Sequence, residues 1–208
     1  MADITFDRAT IIPSVSESLR RFIGNNVELV TEGAISLDSP ADYEGTKQNS
    51  VSLYLYQIEI DPYLRNMPAT IVPLSETNGA PSHFMSVPAP LTLDLTYMVV
   101  AYGATGEMEQ TIANGLANLL DTCGRIPDEY LVSSLKASAN ESLAVVPESA
   151  SLHELRDLWA TFSPKTYHLT RLYKVPAVRI PAAASPVDLV RKMDISAQLI
   201  GEAAGNTR

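Results

Sequence analysis

The chain has 208 residues, 46% of them apolar and 19% charged, the make-up of a single globular domain, or of a domain with an appendage, and not of a disordered segment. Fifteen basic residues against 24 acidic ones leave a net charge of −9. That balance argues against a nucleic-acid binder, because phosphate backbones are gripped by basic stripes.

Chain order then supplies the elements. From about Ala9 to Ile23, the residues Ile11, Val15, Leu19, Phe22 and Ile23 recur on one stripe of a 3.6-residue helix. Pro13 suits its first turn, and Gly24 suits a C-terminal cap. Val27 to Leu37 reads as one or two short strands. Ser39 to Gly45 is a loop by its turn chemistry. Ser50 to Ile60 is the strongest strand. Val51, Leu53 and Leu55 lie on one face of it, Tyr54, Tyr56 and Ile58 on the other. Two apolar faces predict a strand covered on both sides.

Residues 61–89, with five prolines and Asn78-Gly79, read as a loop too long for a plain connection. A second alternating strand covers about 90–101, with Leu91, Leu93, Leu95, Tyr97 and Val99 inward and Thr92, Asp94 and Thr96 toward water. It is expected to pair antiparallel with the first. Glu107 to Leu120 is a helix carrying Met108, Ile112, Leu116, Leu119 and Leu120 on its stripe. A short helical turn is expected within Ile126 to Leu135, and a short strand over Leu143 to Val146, ended by Pro147. Ser151-Leu152-His153-Glu154 has the S-x-x-E pattern in which side chains and backbone N–H groups cap each other reciprocally. The helix behind it carries Leu152, Leu155, Leu158, Trp159 and Phe162 on its apolar face. A last strand over about 166–175 ends at Pro176, residues 181–186 read as a linker, and Val187 to Leu199 fits either helix or strand.

Chemistry is sparse. His83, His153 and His168 show no ligand-pair spacing, and no metal or cofactor is expected. Cys123, the single cysteine, follows an apolar helix face and reads as a small core residue. It excludes an internal disulfide and suits a reducing, cytoplasmic compartment. Glu107 and Glu109 read as first-turn acids favoured by the helix dipole. Gly103-Ala104-Thr105-Gly106 matches no phosphate-binding pattern, and no nucleophile elbow is present. Tyr54, Tyr56 and Tyr63, near Arg65, read as sheet packing and not as a base-stacking platform. Apolar runs fall short of the roughly 20 residues of a bilayer span, and Met1-Ala2-Asp3 lacks the features of a secretory signal.

Four stretches in order carry a resemblance: "IIPSVSESLRRFI", "SLYLYQIEIDPYLRN", "PLTLDLTYMVVAYG" and "LHELRDLWATF…YHLTRLYKV". Over about residues 8–181 the chain resembles the conserved N-terminal domain of the tail-terminator, or tube-cap, proteins of phage-tail-like contractile injection systems. The resemblance implies an α/β (α+β) fold: a mixed, largely antiparallel sheet flanked by helices. It also implies a structural, non-enzymatic role, in which a homo-oligomeric ring, a hexamer, sits on the distal end of inner tube and sheath. Such a ring ends their polymerisation and ties one to the other. The implied partners are the chain itself, the inner tube protein and the sheath protein, with neither nucleic acid nor membrane, and assembly in the cytoplasm. The expected organisation is a domain over 1–181 with an extension over 182–208. Two surfaces are expected to make contacts, the loop Asp61 to Pro88 and the tail beyond Pro181. The candidate interface residues are Tyr63, Arg65, Asn66, His83, Phe84 and Arg179. The alternative is a small α/β ligand-binding module or enzyme whose pocket forms from the 61–89 loop.

Overall fold

The computed structural model describes residues 8–43, 49–73 and 84–187. The helices are α1 (Ile11–Asn26), α2 (Gly106–Cys123), α3 (Ser133–Ala137) and α4 (Leu152–Ala160). The strands are β1 (Ile35–Ser36), β2 (Ser50–Ile60), β3 (Thr70–Pro73), β4 (Phe84–Val87), β5 (Leu91–Tyr102), β6 (Val146–Glu148), β7 (Thr170–Ile180) and β8 (Ser185–Val187). They form a mixed α/β structure with two mostly antiparallel sheets, a five-stranded one in the order β1-β2-β5-β7-β6 and a three-stranded one in the order β3-β4-β8. The chain divides into two compact units. One takes in the residues up to Pro68 and Ala89–Ala182, the other Ala69–Pro88 and the residues from Ala183 on.

In the first unit, β5 is the spine, antiparallel to β2 on one side and to β7 on the other. Its inward alternation buries Leu93, Leu95, Tyr97 and Val99 against a layer from α1, α2 and α3. The α1 stripe predicted from periodicity is the buried one: Ile11, Val15, Leu19, Phe22 and Ile23 are all nearly inaccessible. Serines on α1 supply the polar contacts of this layer. Ser16 Oγ lies 2.9 Å from Tyr97 Oη, Ser14 Oγ lies 2.7 Å from Ser134 Oγ, and Ser18 Oγ accepts from the Val132 N–H at 3.1 Å. The opposite face of β5 presents Met98 and Val100 to Trp159 and Phe162 of the α4 region. The capping box at Ser151 is formed, with Glu154 Oε2 accepting from the Ser151 N–H at 2.7 Å and Ser151 Oγ accepting from the Glu154 N–H at 3.2 Å.

Several expectations give way. Gly24 lies inside α1 and caps nothing. It is small because the backbone of Glu32 passes 2.7 Å from where a Cβ would stand. Gly124 is the left-handed cap, at φ 60°, closing α2. Val27 to Leu37 yields only a two-residue strand, after a 3₁₀ turn over Glu32–Ala34. Thr92 and Thr96 are each 2% exposed, because the face expected to be wet is a covered one. The helical turn expected within 126–135 lies later, at Ser133–Ala137. Pro147 sits inside β6, an edge strand, where a missing N–H is tolerated.

Pro176 likewise does not stop β7, which starts and ends later than expected. Pro176 and Ala177 together oppose Asp94 in a bulge. There Ala177 takes φ 58° and its N–H donates to Asp94 Oδ1 at 3.0 Å.

The loop expected over 61–89 contains β3 and β4, paired from Thr70↔Val87 to Pro73↔Phe84. The linker expected over 181–186 overlaps β8, which pairs with β4. Most of Val187 to Leu199 lies outside the described residues. No described helix is long and apolar enough to cross a membrane.

Candidate assembly interface

The exposed corner of the larger sheet is built by a change of parity in β2. Pairing runs Leu55↔Tyr97 and then Gln57↔Thr96, so Tyr56 is a bulge residue without a partner on β5. Before the bulge, odd-numbered residues face the core. After it, Ile58 opposes Leu95 and Ile60 opposes Leu93, so even-numbered residues face that way. Leu95 and Leu93 are buried, but Ile58 and Ile60 are 50% and 47% exposed. Tyr56 and Leu91 are exposed as well. The expectation that β2 is covered on both faces therefore holds for its first half alone. Among the described residues, β2 has β1 as an outer neighbour only at Val51 and Ser52, so the rest of its outer edge has no strand beside it.

The chain then turns through Asp61 to Asn66. The Asp61 N–H donates to the Thr92 carbonyl at 3.0 Å, and Asp61 Oδ1 accepts from the N–H groups of Tyr63 and Leu64 at 2.8 and 3.2 Å. This Asx arrangement is a local competitor of strand hydrogen bonding and stops β2. It projects Tyr63 into solvent at 91% exposure, with Arg65, Asn66 and Met67 exposed beside it. Tyr63 and Tyr56 are thus not the sheet-packing residues expected. Only Tyr54 packs, with its ring edge-on to Phe162.

Arg179 occupies the same end of the sheet, opposite Thr92 on the other side of β5, and is exposed. Its backbone is clamped from outside by Asn140, whose Oδ1 accepts from the Arg179 N–H and whose Nδ2 donates to the Arg179 carbonyl, both at 2.8 Å. Asn140 stands in for a neighbouring strand and blunts that edge. Phe84 belongs to β4 in the second unit, opposite both Pro73 and Val187. His83 lies outside the described residues. Tyr63, Arg65, Asn66 and Arg179 thus share one end of the first sheet, whereas Phe84 is in the second. Sequence reasoning missed the exposed Ile58, Ile60 and Met67. The signal available was their apolar character in a strand, but burial depends on what lies over them.

The remaining candidate side chains form local structural contacts. His168 Nδ1 lies 3.2 Å from Glu109 Oε2, with its ring against Tyr102, and Glu109 Oε1 accepts from the Leu169 N–H at 3.0 Å. Glu109 is therefore a bridge from α2 to the start of β7 and not only a first-turn acid. His153 pairs with Asp157 on the surface of α4 at 3.5 Å. Cys123 is exposed, against the expectation of a core residue, because it is the last residue of α2, one turn past Leu120, the last buried residue of that helix. Among the described residues, no group of three His, Cys, Asp or Glu converges as a metal site would require.

The model of the Pvc16 N-terminal domain matches residues 14–190, most of the chain. The chain belongs to the Pvc16 N-terminal domain family. Two solved structures share the family's fold with it. One is the sheath/tube terminator, in the extended state, of the extracellular contractile injection system PVC. It matches at 17% identity and a TM-score of 0.59 over 94% of this chain and 65% of its own. The other is the anti-feeding prophage cap, a tube-terminating cap. It matches at 16% identity and a TM-score of 0.53 over 92% of this chain and 61% of its own. This Pvc16 N-terminal domain thus spans slightly less than two thirds of either solved chain. No curated protein matches it.

Proposed function

We propose that this chain is a structural cap of a contractile injection system. Six copies close into a ring on the distal end of the inner tube and sheath, stop their growth and couple the last layer of one to the last layer of the other. The observation that carries this reading is a fold shared, across more than nine tenths of the chain, with a sheath/tube terminator and a tube-terminating cap. The chain acts as a scaffold and not as an enzyme, and meets neither nucleic acid nor membrane. It assembles in the cytoplasm and leaves as part of an injection particle.

The contact surfaces are two. The end of the larger sheet around Tyr63, Arg65, Asn66 and Arg179 serves the first unit. In the second unit, parts of the two surfaces singled out by sequence, residues 69–88 and the start of the tail beyond Pro181, meet in one sheet, β3-β4-β8, which presents Phe84. His83 and the rest of the tail are assigned contact roles as well.

Electron microscopy of particles from a strain lacking the gene tests the role. Tubes and sheaths of uncontrolled length are expected. Capped particles of normal length would show that another protein is the terminator.

A further inference from the structure

The first unit carries a socket at the other end of the sheet from Tyr63. It is a cavity of about 150 Å³ between α2 and the start of β7, lined by Val99, Ala113, Leu116, Leu169, Arg171 and Tyr173 among others. Its walls are mainly apolar, and a cavity of that size accommodates a benzene-sized ring. One polar group in this wall is unmet. The Tyr173 hydroxyl is buried and has no hydrogen-bond partner. Burial first, and then the charge and hydrogen bonding of Asp121, raise its pKa, so Asp121 approaches the hydroxyl without making a well-formed bond. Two carboxylates are bonded to lining residues, Asp121 to Arg171 at 3.1 Å and Glu109 to the Leu169 N–H at 3.0 Å.

We propose that Tyr63 of one subunit seats in this socket of the next, making the head-to-tail contact that closes the ring. The inference rests on the ring reading above and names the contact. An aromatic ring with a hydroxyl fits this socket, since the walls are apolar and the Tyr173 hydroxyl lacks a well-formed hydrogen bond. Tyr63 is that group on this chain: 91% exposed and held out by the Asp61 turn. Charge agrees. Arg65, two residues on, has no ion pair among the described residues and would approach Asp121 and Glu109, the carboxylates bonded to the socket's lining. Placement agrees too. The turn follows Ile60, which opposes Leu93, while the socket begins at Val99, roughly 20 Å further along β5 at about 3.4 Å per residue. Two distinct patches on one subunit make a heterologous contact, the kind that closes into a ring.

The test uses two full-chain variants, Tyr63→Ala, which removes the knob, and Ala113→Phe, which fills the socket, with folding checked by circular dichroism. Light scattering coupled to size exclusion reads the assembly. Each variant alone should self-associate at least about tenfold more weakly than the parent protein. Mixed one to one, they should form heterodimers and stop there, because each pair retains one intact knob and one intact socket. Tyr63→Phe should fall between the parent and Tyr63→Ala.

Rings that form normally with folded Tyr63→Ala would overturn this contact and leave the ring reading standing. Folded variants whose mixture gives no heterodimer would also overturn it. If Tyr63→Ala assembles normally while Ala113→Phe loses its hold on tube or sheath, the socket takes a partner's side chain and the proposal fails. A parent protein that forms no ring at any concentration, or on purified tube and sheath, would remove the ring reading itself.

Discussion

Tyr97 stands fully buried in the middle of β5, its hydroxyl 2.9 Å from Ser16 Oγ, and desolvation pushes its pKa from 10.0 to about 12 against the opposing effect of that hydrogen bond. Tyr102 is likewise raised to about 12, first by desolvation and then by Tyr43 and Glu109. A phenol whose folded pKa exceeds its unfolded one favours the native state while neutral. Its contribution is whole below pH 10 and is lost as pH rises from 10 toward 12. Urea unfolding at a series of pH values should therefore show stability falling above about pH 10. Tyr97→Phe should flatten part of that fall, at a cost of about 1 kcal/mol near neutrality for the lost hydrogen bond. Trp159 is 5% exposed, with its Nε1–H donating to Thr170 Oγ1 at 3.0 Å. Trp159→Ala should cost about 3–5 kcal/mol, read from the urea midpoint, since it empties a large aromatic site and leaves Thr170 without its donor. A cost below about 1 kcal/mol would mean that the ring is not part of the core.

At the scale of elements, α4 shows how a short helix is held by its start. Its nine residues are too few for propensity to sustain it alone, and of them only Trp159 is buried. The reciprocal cap at Ser151 and Glu154 and the docking of Trp159 supply what length does not. Ser151→Ala should cost about 1 kcal/mol, measured by chemical denaturation. The Ser151 backbone N–H and hydroxyl hold the Glu154 carboxyl below its usual pKa. A depressed carboxylate stabilises the native state above its unfolded pKa, and that help fades as pH falls through the folded one. Glu154→Gln should therefore reduce the loss of stability on acidification. The bulges act at this scale as well. The one at Tyr56 turns Ile58 and Ile60 onto the core side of the sheet, beyond the cover of the helices. The one at Pro176 lets a proline lie within a central-sheet strand without an orphaned ladder bond.

At the scale of the molecule, the two units predict separable behaviour. Deleting residues 182–208 removes β8, whose described pairing is with β4 in the second unit, and leaves the five strands of the first sheet in place. The shortened chain should keep the near-ultraviolet signature of Trp159 and its main thermal transition, while binding to sheath or to the adjacent subunit weakens. Loss of the folded core on this deletion would mean that the tail is part of the first unit.

Much of this architecture was legible in the residues themselves. The α1 stripe, the α4 capping box and the alternation of β2 and β5 each follow from local spacing, because side-chain period and terminal hydrogen bonds are set within a few residues. The order of four such stretches pointed to the family. What lay beyond local spacing was which apolar residues are covered. Ile58 and Val51 read alike in a strand, but one falls past a bulge that the alternation conceals. Thr96 reads as solvent-facing, but α4 closes over its side of the sheet. Cys123 reads as core and shares the helical stripe, but it stands at the very end of α2, past the last buried turn. The pairing of β4 with β8, across about a hundred residues, belongs to the same class. Register, bulges and long-range strand partners are decided by packing between distant segments, and burial, from which the candidate interface follows, is settled only when those segments meet.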